Sequence, residues 1–332
     1  MKKIKILFFT LFVVDVSGVL ILLTPNATAT INTSATASLT VTNVAPTITV
    51  GPAATYLVAA TPTAPPISLT AGDTETVTVT FTAHDDNGCA DIDSAATKTT
   101  GKIFNPEGGS ITSACTPSST GHNCYALSCT QDGGSCTTGL TATYTCTASM
   151  QYYADATDGG TYSGTTWTMD IIPADNAGAA TPNTTGTFTV TSMTALNVAE
   201  TTIPYTVTTL GTTTLTTDQT TTITNKGNRI IDAEVKGYGL NSGDTTHSMS
   251  CTQGTIPIGN EKYTLAGATT TYASLDYTLT GTFVGSQITA FNLSPTTTGS
   301  DSTSHIYWGM ALPANGVGGS CSGTVAFLAV NH

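Results

Sequence analysis

The densest run of oxygen-bearing side chains lies just after His84. Asp85, Asp86, Asn87, Asp91 and Asp93 crowd one short stretch around Gly88 and Cys89. Calcium takes about six to eight oxygens from carboxylates, carbonyls and water, so a turn of this composition could hold one. The spacing is not that of an EF-hand, because Cys89 takes the fifth position and no glutamate closes the loop. Asp, Asn and Gly also build plain turns between strands, through side-chain bonds to their own backbone and through positive φ. Both readings stay open. Asp170, Asp175 and Asn176 would complete a calcium site if their loop reached the same end of the fold, with Asp155 and Asp158 as weaker candidates.

Other chemistry finds less support. His84, His122, His247, His305 and His332 are scattered, and neither a Gly-x-Ser-x-Gly elbow nor a His-Glu-x-x-His helix is present. Glu75, Glu107, Glu200, Glu234 and Glu261 form no acid pair in sequence. The expectation is that the chain is not an enzyme. Trp308, Tyr307 and Tyr152-Tyr153 could stack on sugars, or could fill a core with their polar atoms satisfied. Sequons at Asn32, Asn183 and Asn292 offer N-glycosylation, and the threonine density offers O-linked sugar.

These residues must be positioned by β-structure. Threonine supplies 75 of the 332 residues, and charged residues only 9%. Threonine is β-branched and polar, which suits the solvent face of a strand and disfavours helix. Thr74–Ala83 is the clearest strand, with Val77, Val79 and Phe81 on one face. Ile103, Tyr144, Tyr152, Trp167, Met169 and Ile171 are further core candidates. Gly108–Gly139 is rich in Cys, Gly and Ser and reads as a long loop or small excursion held by disulfides. In the second half the strand candidates are Ile203–Thr208, Gln219–Thr224, Ile230–Val235, Leu275–Thr280, Ile306–Leu312 and Thr324–Val330.

Met1–Ala29 reads as a secretory signal: Lys2, Lys3 and Lys5, an apolar run from Ile6 to Leu23, and Ala27-Thr28-Ala29 as the cleavage site. Asp15 within the apolar run argues against a permanent anchor, so no stable membrane span is expected after processing. Removing the segment leaves 6 basic and 20 acidic residues, a formal charge of −14, which makes nucleic acid and anionic membrane surfaces poor partners. Eight cysteines in an exported chain read as disulfides. Cys89, Cys115, Cys124, Cys129, Cys136 and Cys146 form three bridges whose connectivity spacing does not choose, and Cys251 pairs with Cys321 if no bridge crosses between halves.

Ser38–Val44 (SLTVTNV) and Thr187–Met193 (TFTVTSM) are near copies. The second reads as the closing strand of a domain. The first, with Leu39, Val41 and Val44 as its apolar positions, follows only the signal and a short polar stretch. It reads as an extra strand whose sheet lies elsewhere, which points to self-association into a homo-polymer. The organisation is therefore a signal at 1–29, an extension with the extra strand at 30–45, and domains at 46–192 and 193–332.

The run Ile203-Pro204-Tyr205, Leu210-Gly211, Thr220–Asn225, Gly227-Asn228, Ile231, Val235 and Gly237 resembles an immunoglobulin-like module of bacterial and archaeal surface proteins. That module is related to the major-sperm-protein and choice-of-anchor domains. Val77–Thr82 followed by Asp85-Asp86-Asn87-Gly88 resembles the Ig-like repeats of exported proteins. The resemblance implies an all-β fold of two Ig-like antiparallel sandwiches in tandem, and says nothing of activity. Three functions follow in order of expectation. The first is an extracellular filament, pilus or surface-layer subunit joined by strand donation. The second is a monomeric adhesion or glycan-binding module, and the third an exported hydrolase.

Overall fold

The computed structural model describes residues 38–53, 56–58, 61–63, 66–94, 99–112, 114–136, 139–175, 178, 183–214, 219–267, 270–283 and 287–332. The signal segment, Asn32 and Asn176 lie outside the described residues. The chain divides into two units, one up to Thr42 and one from Asn43 onward. Of the first unit, Ser38–Thr42 run in irregular backbone, with Leu39 and Val41 exposed to 88% and 69%. Among the described residues the expected strand at Ser38–Val44 is thus not formed. A strand needs a neighbouring ladder to satisfy its backbone groups, and among the described residues no ladder includes Ser38–Val44.

The second unit is built from antiparallel sheets. Its first half holds β1 (Thr47–Ala53), β2 (Tyr56–Val58), β3 (Thr61–Thr63), β4 (Thr74–His84), β5 (Thr100–Phe104), β6 (Cys124–Gln131), β7 (Thr141–Gln151), β8 (Trp167–Ile172) and β9 (Asn183–Phe188). The short helix α1 (Cys89–Ser94) follows β4. The main sheet runs β1-β4-β7-β6-β5-β8-β9, while β2 and β3 form a separate hairpin. Its order is continuous, so one curled sheet, rather than two separately bonded ones, encloses the first core, and its outer strands β1 and β9 come into contact.

The alternation predicted for β4 sets that core. Val77, Val79, Phe81 and Ala83 are buried, opposite Tyr144, Cys146, Ala148 and other inward residues of β7. Trp167, Met169 and Ile171 on β8 complete it. The stretch Gly108–Gly139 departs from expectation, because β6 emerges from it between β7 and β5, with Cys124, Tyr125 and Leu127 buried. The strand is short, and the cysteines and serines on either side mask its apolar positions in the sequence.

The second half contains β10 (Leu196–Val198), β11 (Gln219–Asn225), β12 (Ile231–Tyr238), β13 (His247–Gln253), β14 (Thr255–Pro257), β15 (Glu261–Thr264), β16 (Tyr277–Thr278), β17 (Gln287–Leu293), β18 (Thr303–Met310), β19 (Gly318–Ser322) and β20 (Thr324–Asn331). They form sheets ordered β10-β11-β18-β15-β16, β17-β12-β20 and β14-β13-β19. Ile223, Ile231, Val235, Tyr263, Ile306 and Trp308 lie at the centre of a second core. Ile203–Thr208 is irregular rather than a strand. It alternates in burial, with Ile203 and Tyr205 packed on the core, but Pro204 has no N–H to give a ladder. Leu275–Thr280 is a strand only at Tyr277–Thr278.

The disulfides are Cys89–Cys136, Cys115–Cys124, Cys129–Cys146 and Cys251–Cys321. Two of them, Cys129–Cys146 and Cys251–Cys321, join residues directly opposite each other in paired strands. The four bridges fit an extracellular protein. No helix among the described residues is long and apolar enough to cross a membrane.

Candidate metal centre and buried carboxylates

The turn after β4 carries the first group. Gly88 has a φ of 117°, a conformation that side chains resist, and this lets the chain reverse into α1. Buried Ile92 and the Cys89–Cys136 bridge pin that helix. Beyond β8, Asp175 closes a second turn: its amide donates to the carbonyl of Gly178, whose amide returns to Asp175 Oδ1 at 2.9 Å. Asp85, Asp91 and Asp175 meet there, with one carboxylate oxygen of each lying within 4.8 Å of the others.

Asp85 is only 1% exposed. Its Oδ1 accepts the amide of Asn87 at 2.7 Å, while its Oδ2 is buried without a hydrogen-bond partner. Burial holds its carboxyl above the ordinary carboxylate range, against the Asn87 bond, and the neighbouring charges of Asp175 and Asp91 push the same way. A cation is the natural counterweight to such a set.

The other residues of the calcium reading go elsewhere. Asp86 is exposed and lies 3.0 Å from His84 Nε2. Asn87 Oδ1 accepts the amide of Val44 at 2.8 Å. Asp93 lies on α1, with its side chain outside the described residues. Asp170 stands on β8 opposite Lys102 of β5 and does not join the cluster. Its Oδ1 is buried without a partner, and burial raises its carboxyl while Lys102 opposes the shift. Asp158 accepts the amide of Ser192, 34 residues further along the chain, at 2.6 Å.

A second group escaped the sequence reading, since nothing in its spacing announces it. His122 Nδ1 lies 2.7 Å from Asp155 Oδ1 and 3.7 Å from Glu107 Oε1. Asn105 donates to Asp155 Oδ2 and Asn123 to Glu107 Oε1, so these carboxylates are answered from within. Burial raises the Asp155 carboxyl to about 6, with His122 working against the shift. The bond to Asp155 in turn raises the His122 imidazole, against its own burial. His122 and Asp155 line a cleft of about 400 Å³ that also takes Gly159, Gly160 and Arg229.

A third buried carboxylate, Glu261 at the start of β15, accepts the hydroxyl of Tyr205 at 2.7 Å. Burial lifts it to about 7, with the Tyr205 bond opposing.

The aromatic residues considered for sugar stacking mostly face inward. Trp308, Tyr152 and Tyr153 are buried, with Trp308 Nε1 donating to Thr221 Oγ1 at 2.9 Å and Tyr152 to Asp301 Oδ1 at 2.8 Å. They pack as core, which is where amphipathic rings with satisfied polar atoms go. Asn292 is exposed and adopts a φ of 40°, and Asn183 lies on β9.

No protein-family model matches the chain, and no curated protein matches it. Among solved structures it is similar to the Yersinia pseudotuberculosis adhesin InvE at 15% identity and a TM-score of 0.23, over 80% of this chain and 53% of that one. The chain thus matches about half the length of that adhesin, and a likeness this loose carries no argument.

Proposed function

We propose that the chain is a secreted cell-surface structural protein, a subunit of an extracellular filament or surface layer, whose residues 30–44 add a strand to a second copy. In this reading its halves are tandem Ig-like sandwich domains, the first made by a sheet curled over its own core.

The observation that carries the reading is a contrast between the two near copies. In Thr187–Met193, Phe188 and Val190 are buried, and Val190 bridges Ile67. In Ser38–Val44 the matching Leu39 and Val41 are exposed, as is Val44 at 49%. A period-two segment with one apolar face gains from burial in a sheet, at roughly 1.5–3 kcal/mol per large side chain before ordering costs. Strand addition supplies main-chain bonds and side-chain pockets together. A head-to-tail contact of this kind does not close on itself, so it propagates.

Electron microscopy and gel filtration of the oxidised mature protein test it. The wild type should polymerise. Leu39→Asp with Val41→Asp should stay monomeric with an unchanged Tm. A wild type that remains monomeric at high concentration would overturn the proposal, as would a double variant that still polymerises.

A further inference from the structure

We propose that Asp85, Asp91 and Asp175 form a calcium site at the end of the first half where β4 turns into α1. Its ligands come from two separate stretches of chain, the 85–91 turn and the loop after β8, which the cation would clamp together. Three carboxylates gathered within 4.8 Å repel one another unless a proton or a cation intervenes.

The second observation is atomic. Asp85 is 1% exposed, and one of its two oxygens, Oδ2, is buried with no hydrogen-bond partner. A carboxylate oxygen sealed from water normally finds a donor, and one without a donor amid other carboxylates is placed as a metal ligand would be. Hard oxygen ligands drawn from a turn, a short helix and a loop suit calcium better than magnesium, which demands near-octahedral geometry and keeps its waters. Backbone carbonyls and water would complete the shell. The site is also preorganised: Asn87 fixes Asp85, the Cys89–Cys136 bridge and Ile92 hold the helix bearing Asp91, and Gly178 fixes Asp175. The proposal stands apart from the assembly reading, since it concerns the folded first half alone.

Calorimetric titration of the EDTA-treated mature protein with calcium chloride, and its Tm with and without the ion, provide the test. One calcium per chain should bind and raise the Tm, because a ligand selective for the folded state stabilises it by mass action. Asp175→Asn should abolish the heat. Asp91→Asn, at a position less buried than Asp85 or Asp175, should weaken binding by about tenfold or more while the variant remains folded. No heat and no shift up to about 10 mM calcium, beyond the range of weak extracellular sites, would overturn the site and leave Asp85 and Asp175 sharing a proton. An equal response to magnesium would overturn the calcium assignment.

Discussion

Asp85 in the first half and Glu261 in the second are exposed to 1% and 2%, yet their surroundings differ in kind. Glu261 is a lone carboxyl with a tyrosine hydroxyl pointing at it. Asp85 has two further carboxylates beside it. Between them stands Asp155, which has a histidine. A carboxylate withdrawn from water can be tolerated by taking a proton, by meeting a cationic side chain, or by meeting a metal ion, and this chain presents an environment suited to each. The neighbours, not the depth of burial, decide which answer applies.

Glu261→Gln should have the largest effect. The glutamate is held at about 7 when folded, against an ordinary 4.5, so the folded state binds more protons between these values. Stability therefore falls as pH rises from 4.5 through 7, by about 3 kcal/mol in all at about 1.4 kcal/mol per unit. Glutamine keeps an acceptor for Tyr205 and cannot ionise. The variant should match the wild type near pH 4.5 and exceed it by up to about 3 kcal/mol above pH 7. Urea denaturation at both pH values measures this. A variant no more stable at pH 8 would mean that Glu261 is answered by a cation after all.

His122→Ala should act in the opposite direction and somewhat less, because Asp155 can fall back on a proton. At pH 7.5 the loss should be about 2 kcal/mol, for a buried charge deprived of its partner. The carboxyl sets the sign with pH: its folded value is about 6 against an unfolded 3.8, and removing His122 raises it further, while the raised His122 imidazole steadies the wild type more at low pH and offsets only part of this. Stability of the variant should then recover as pH falls toward 5, whereas a loss that stays constant with pH would reduce His122 to packing.

These environments were unequally legible in the sequence. The β4 alternation of Val77, Val79 and Phe81 gave the first core directly, because one buried face imposes a period of two. Composition names Asp85, Asp91 and Asp175, and it names Asp170 equally. What separates Asp170 from Asp175 is that one falls within β8 opposite Lys102 and the other beyond its end. Glu261 and the Glu107–His122–Asp155 group left no local signal, since their burial comes from strands and loops distant in sequence. The corner Asn225–Asn228 is legible in the sequence only through its resemblance to an Ig-like module. In the structure it joins the halves: Asn228 accepts the amide of Met193 and donates to the carbonyls of Ala154 and Thr191. A Cβ on Gly227 would run into the Met193 carbonyl, so only glycine fits that approach. Lys226 meanwhile pairs with Asp301, whose carboxylate also accepts Tyr152. Sequence pattern reports local periodicity well, and long-range meetings only when each partner has a local reason to be where it is.

Asn87→Ala should give the smallest effect and the finest separation. Asn87 has two roles on the Asp85 turn: its main-chain amide binds Asp85 Oδ1, and its side-chain oxygen accepts the amide of Val44. Alanine keeps the first and removes the second. The Val44 bond is solvent-exposed, so its loss should cost about 0.5–1 kcal/mol locally and leave the Tm nearly unchanged. Hydrogen exchange at the Val44 amide should accelerate. The calcium response should persist, because the Asp85 carboxylate keeps its backbone anchor and the proposed ligands are untouched. Were calcium binding lost in this variant, Asn87 Oδ1 would have to be a ligand rather than a tether for Val44. The turn would then be a metal loop, and the contrast between Asp85 and Glu261 would extend to the whole turn.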